Sequence, residues 1–264
     1  MVDQSNSLHS PANNLNSEYN GSNENSESAA YRALMEELYR LRQDDKRRAE
    51  YNRILSFYPD SGPLRRELYP KHLEFFQAGA IHRERCFLAA NRVGKTEGVG
   101  AYETTLHLTG EYPDWWVGRR FDHAIDAWAV GESSKTVNRE ILQPKLLGKP
   151  GHLGTGMIPG RCIVRAVPKP NVPEAIETVY VAHSSGREST LTLKSYEQGR
   201  ESFQGAEKHL IWLDEECPKD IYVECLMRTM TTNGLIILTF TPLLGLTELV
   251  KDFLGEAYAP KDTE

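Results

Sequence analysis

The sequence predicts an α/β fold, a mainly parallel central sheet flanked by helices with an antiparallel hairpin attached. Three observations predict it. The runs His209–Leu213 and Leu235–Phe240 are continuously apolar, as in strands buried on both faces of a parallel sheet. Upstream, strand-like and helix-like segments alternate: Arg85–Ala90, Thr96–Leu108, Asp126–Gly131 and Ser133–Leu147. The β-rich stretches Thr178–His183 and Ser189–Tyr196 flank a five-residue polar loop, the spacing of a hairpin.

The other segments follow in chain order. Residues 1–28 contain seven Ser and seven Asn and few large apolar side chains, too few to offset chain entropy, so they read as a disordered tail. Residues 29–68 read as an N-terminal helical segment. Leu34, Leu38 and Leu41 repeat at helical spacing, Ser28 suits an N-cap, and the helix should run to about Leu55, ahead of Pro59. The charged run Asp44–Arg48 reads as a solvated face of that helix, with a DNA or partner contact as the lesser alternative. Residues 69–264 form the main domain. It opens with a short helix over Lys71–Ala80 that Gly79 stops. Residues 148–175, rich in Gly and Pro, read as an irregular excursion, and 255–264 as a polar, frayed end.

Composition narrows the function classes. The chain has 264 residues, 39% apolar and 26% charged, enough for a core in one large domain or two modest ones. No apolar run reaches the roughly 18 residues of a membrane span, so no membrane partner is expected. The N-terminus has no secretory pattern. A net charge of −6 excludes a histone-like polyanion binder; a grip on nucleic acid would need a local basic patch or a ring of subunits that concentrates one. Cys86, Cys162, Cys217 and Cys225 lack the spacing of a metal knuckle and read as reduced thiols of a cytosol-like compartment.

The strongest chemical signal is Ala89–Thr96, which follows an apolar strand and opens a helix. This is the logic of a phosphate-binding P-loop. Backbone N–H groups of Ala90, Asn91, Arg92, Val93 and Gly94 would cradle an anion, Lys95 would reach the β- and γ-phosphates of ATP, and the Thr96 hydroxyl would ligate Mg²⁺. Ala89 stands where the pattern has Gly, so the loop should enter with ordinary dihedrals. A bare Gly-Lys-Thr also occurs at unrelated helix starts. The second signal, the apolar strand ending in Asp214, Glu215 and Glu216, argues against that reading. Asp214 would hold the metal and Glu215 would deprotonate the attacking water. Glu216 reads as a supporting or exposed carboxylate. The third signal is Thr239 and Thr241, hydroxyls at a strand exit before Pro242 that could sense the γ-phosphate. Arg92 is the natural cis arginine for the transferred phosphate, and Arg119, Arg120, Arg139 and Arg200 are possible trans donors. Tyr69, Pro70, Phe75, Phe76 and Gln77 lie at the right distance upstream to hold adenine, the aromatics by flat contact and Gln77 through its amide.

The segments Tyr69–Phe76, Arg85–Thr96, Leu193–Gly205 and Ile211–Glu216 resemble the large terminase subunit of tailed bacteriophages, over roughly Tyr69 to Thr247. The resemblance implies a P-loop ATPase of the additional-strand, catalytic-glutamate class. It carries phosphate and metal roles onto Lys95, Thr96 and Asp214, catalysis onto Glu215, and coupling onto Thr239 and Thr241. Many members place the loop arginine where this chain has Asn91, one residue before Arg92. The family normally continues into a nuclease domain, which is expected to be absent here, so the chain should hydrolyse ATP without cutting DNA. The implied role is a DNA-packaging motor in the host cytoplasm. Its partners would be double-stranded DNA, a portal protein and a small terminase subunit, and it would be monomeric alone and a homo-oligomeric ring when assembled. A P-loop helicase or translocase and a nucleotide-gated, non-hydrolysing scaffold are the alternatives. A small-molecule kinase fits less well, because no arginine-rich lid is evident.

Overall fold

The computed structural model describes residues 15–243 and 245–255. The chain divides into two compact units, 1–48 and 49–264. The first is built on helix α1, Leu15–Glu50. This helix starts well before Ala29, so residues 15–28 of the expected disordered tail are helical backbone; residues 1–14 lie outside the described residues. Nucleation is the costly step of helix formation, and each further residue adds one hydrogen bond. The Leu-, Glu- and Arg-rich stretch after Ala29 can therefore extend back through weaker Ser and Asn formers.

Residues 49–68, grouped by sequence with the N-terminal helix, belong to the second unit. Tyr58 anchors them: it is 2% exposed, and its hydroxyl lies 2.7 Å from the Gly98 carbonyl.

The second unit contains a seven-stranded sheet of order β1-β7-β6-β2-β5-β4-β3. The strands are β1 Glu84–Leu88, β2 Asp126–Gly131, β3 Ile163–Pro168, β4 Ile176–Ala182, β5 Glu188–Ser195, β6 Leu210–Asp214 and β7 Leu235–Phe240. The five from β1 to β5 in that order are parallel, and β4 and β3 close the sheet antiparallel. β7 is the last strand in sequence, yet it is inserted between β1 and β6. β3 falls inside the stretch expected to be irregular. It is a half-exposed edge strand that Pro168 ends, so its apolar pattern is weak.

Helices cover both faces. α2, Pro70–Ala78, begins with Pro at its first turn and stops at Gly79, as expected. A wide helical turn over Lys95–Ala101, marked by the Val99 N–H donating to the Gly94 carbonyl (3.1 Å), runs into α3, Tyr102–Thr109. The expected helix Ser133–Leu147 is broken. A turn over Thr136–Glu140 is followed by α4, Leu142–Leu146, and the break is at Ile141, three residues before Pro144, which has no N–H to donate. α5, Lys219–Met230, and α6, Glu248–Leu254, cover the other face and were not anticipated.

Alternate residues of β6 and β7 feed two cores. Trp212 and Ile237 pack with Val99, Tyr102 and Leu106, while Ile211, Leu213, Ile236 and Leu238 pack with Ile221, Tyr222 and Leu249. Each fully buried aliphatic contributes about 1.5–3 kcal/mol. Gly100 allows this approach, since a Cβ there would meet Trp212 Cε2 at 2.1 Å. No helix among the described residues is long and apolar enough to cross a membrane.

Candidate functional site

The ends of β1, β7 and β6 are neighbours because the strands are parallel and in register, with Leu88 opposite Phe240 and Asp214 opposite Thr239. Parallel α/β sheets place ligands at such carboxyl ends. The loop after β1 turns sharply. Its left-handed residues are Arg92 (φ 65°) and Gly94 (φ 86°), and Ala89 takes an ordinary conformation, as expected. Lys95, only 6% exposed, curls back under the loop. Its ammonium donates to the Ala90 carbonyl at 3.1 Å and to Thr241 Oγ1 at 2.7 Å. The Thr241 hydroxyl also lies 2.9 Å from both the Ala89 carbonyl and Asn91 Oδ1. From the other side His72 Nε2 donates to the Val93 carbonyl (3.0 Å), and the Tyr58 hydroxyl sits 2.7 Å from His72 Nδ1. Tyr58 and His72 are supports that sequence reasoning missed. The sequence of α2 draws attention to its aromatics, and nothing in its pattern marks the histidine.

The acidic strand meets the loop through side chains. Thr96 Oγ1 donates to Asp214 Oδ1 at 3.0 Å across 118 residues of chain. Thr239 Oγ1 donates to the same oxygen at 2.7 Å and accepts from Trp212 Nε1 at 2.8 Å. Thr239 has its one proton committed to Asp214 and is 0% exposed, so it holds Asp214 instead of facing a ligand, contrary to its expected sensing role. Thr241 alone of the two hydroxyls touches the loop lysine. Glu215 leaves β6 in a left-handed conformation (φ 63°), its N–H donating to the Thr239 carbonyl at 3.0 Å. Glu216 contacts the Thr247 hydroxyl.

Burial dominates the electrostatics. It pushes the Asp214 carboxyl up to about 7, against the lowering effects of Thr239, Thr96 and Lys95. It raises Glu215 too, with Lys95 opposing and Glu132 assisting. Neither Lys95 nor Asp214 has an ion-pair partner among the described residues, although both are buried. Lys95 and Asp214, both buried near the strand ends and in no ion pair with each other, fit a polyanion chelated to a divalent cation. Thr96 and Asp214 are the oxygen donors that could hold the cation, and the loop N–H groups with Lys95 could hold the phosphates.

Not every expected residue joins this set. Arg92 lines a separate cavity with Arg53, Tyr58, His72 and Glu97, and makes no hydrogen bond or ion pair within the described residues. Pro70 lines a cavity of about 960 Å³ beside the loop, together with Tyr69, Phe75, Phe87 and Val93. Phe76 does not reach it. It is 1% exposed in the core against Tyr58, Tyr102 and Trp116, and Gln77 lines a different cavity with Arg66 and Trp115. Adjacent residues of a helix point in different directions, so Phe75 and Phe76 cannot both face one base. Among the trans candidates, Arg119 lies over Phe121, Arg120 over Tyr112, and Arg200 pairs with Glu224 at 3.1 Å. The Arg139 side chain lies outside the described residues. All four cysteines are free, as expected.

Residues 86–263 match the family described as terminase large subunit, T4likevirus-type, N-terminal. The chain is 37% identical over 209 residues to the "Terminase, large subunit" of Salmonella phage P22, covering 70% of this chain and 41% of that protein. It thus spans about two-fifths of that relative's length. Among solved structures, the Thermus phage P74-26 large terminase ATPase domain superposes with a TM-score of 0.45 at 12% identity, over 69% of this chain and 70% of that one. The large terminase of another thermophilic bacteriophage, in complex with ADP, gives 0.42 at 12% identity, over 80% and 50%.

Proposed function

The chain belongs to the terminase large-subunit N-terminal family, and from that premise we propose that it is the ATPase motor of viral DNA packaging. The observation that carries this reading is the 3.0 Å contact between Thr96 and Asp214, which joins the phosphate loop to the acidic strand.

In this reading ATP lies over residues 90–96. The backbone N–H groups and Lys95 hold its β- and γ-phosphates, and the base enters the cavity lined by Tyr69, Pro70 and Phe75. Thr96 and Asp214 would hold Mg²⁺, which when bound would neutralise charge on the phosphates. Glu215 takes the proton of the attacking water. Its raised pKa keeps it a better base than an exposed carboxylate. Arg92 stabilises the transferred phosphate after a side-chain rearrangement out of its present cavity. Thr241, on the Lys95 ammonium, senses the phosphate and passes its loss to β7.

The work of that cycle moves double-stranded DNA into a procapsid in the host cytoplasm. The partners are a portal protein and a small terminase subunit, and a homo-oligomeric ring brings local basic patches of the subunits together around the DNA. The test is Lys95→Ala. It should cut ATP turnover by at least about 10²-fold, the scale of losing one preorganised charge at a reacting group. Turnover near the wild-type rate would end the assignment.

A further inference from the structure

We propose that Tyr196 is a positioning residue for Glu215: its hydroxyl pins the peptide that sets the direction of the carboxylate. The inference rests on the ATPase reading above and deepens it.

Tyr196 follows β5 on a single helical turn, and β2 lies between β5 and β6. The tyrosine therefore reaches across the end of β2. Its Oη lies 3.1 Å from the Asp214 carbonyl and 3.2 Å from the Glu215 carbonyl, so one hydroxyl proton is shared between them. On the opposite side, the Glu215 N–H donates to the Thr239 carbonyl at 3.0 Å. The backbone that carries Glu215 is thus held from two strands at once, β7 through its N–H and β5 through its carbonyls.

That grip has something to oppose. Glu215 is left-handed at φ 63°, a conformation that a residue with a Cβ adopts only when its surroundings impose it. Relaxation to an extended conformation would redirect the carboxylate, which feels the Lys95 charge in its present position. Tyr196 belongs to the core that also holds Trp128 and Phe203, and burial raises the phenol well above its ordinary pKa, so it remains a donor throughout the working range. The turn itself is tied by the Ser195 N–H donating to Gln198 Oε1 at 3.2 Å. Tyr196 lies in Leu193–Gly205, a stretch that carries the family resemblance and otherwise has no role at the site.

The test is Tyr196→Phe, which keeps the ring and removes the hydroxyl. Steady-state ATP turnover is measured beside equilibrium binding of Mg²⁺·ADP and thermal melting. The expected result is a kcat reduced at least about tenfold, within the hundredfold that an ångström of misplacement costs, with KM and ADP affinity within about twofold of wild type. An unchanged kcat overturns the proposal, and so does an equal loss of turnover and ADP affinity, which would mark a merely structural part. Should Tyr196→Phe fail to fold, the exposed Gln198→Ala loosens the same turn and should give the same split at smaller amplitude; unaltered turnover there overturns the proposal. A wild-type chain that neither binds nor hydrolyses ATP overturns the ATPase reading itself. An active wild type with an equally active Tyr196→Phe removes only the role of Tyr196.

Discussion

At the end of β1 the site is made largely by the loop's own backbone, whereas at the end of β6 it is made by side chains gathered from several elements. The loop needs two left-handed residues, Arg92 and Gly94, and a lysine that curls back on the Ala90 carbonyl. All of that lies within seven residues of sequence, Ala90–Thr96. The acidic end needs Thr96, Thr239, Trp212 and Tyr196, drawn from the loop helix, β7, β6 and the turn after β5. The loop's contacts with distant residues run through Thr241 and His72, so the loop should respond to changes at those two positions and tolerate others. The acidic end should respond to any change in the strands around it.

The largest expected effect breaks chemistry alone. Glu215→Gln should lower turnover by about 10²–10⁴-fold, the usual worth of a positioned base, and leave nucleotide affinity near wild type. Equal losses in turnover and affinity would instead make Glu215 part of the binding frame.

The next effect is a pH dependence peculiar to the acidic end. Asp214 is raised from 3.8 to about 7, with burial the leading cause. Between those values the folded chain keeps a proton that the unfolded chain has released. Stability of the nucleotide-free protein therefore falls as pH rises through that window, by about 4 kcal/mol at most, and levels off above it. Urea titrations across the window should show this slope in wild type and lack it in Asp214→Asn; the same slope in both would place the titration elsewhere.

Thr239→Val is expected to cost about 1–3 kcal/mol in the same titration, because it leaves the Trp212 N–H and the Asp214 carboxyl each one partner short. The smallest effect belongs to the loop. Gly94→Ala should cost about 1–2 kcal/mol for its positive φ, and its Cβ would lie 3.2 Å from His72 Cε1. If Thr239→Val proved harmless while Gly94→Ala unfolded the protein, the contrast between the two ends would be reversed.

The same contrast explains what the sequence discloses. β2 and β7 lie at their expected bounds, because an unbroken apolar run is a local signal. The loop is legible for the same reason. The half-exposed edge strand β3 and the backward growth of α1 through Ser and Asn have no such pattern. Thr239 looked like a sensor because its position at a strand exit was visible, while its two hydrogen-bond partners were not. Phe76 and Gln77 show the limit of reading a segment as a block: Pro70 and Phe75 line the cavity by the loop, and their neighbours on the same helix turn away from it. Tyr58, His72 and Tyr196 could be found only from contacts that tertiary structure creates.

The two strand ends are proposed to form one triphosphate–metal site. The most direct measurement is a crystal structure of Glu215→Gln with Mg²⁺·ATP. The expected result is phosphates over residues 90–96 and a metal ion beside Thr96 and Asp214. A nucleotide bound elsewhere, or a metal ion with neither residue beside it, would contradict it.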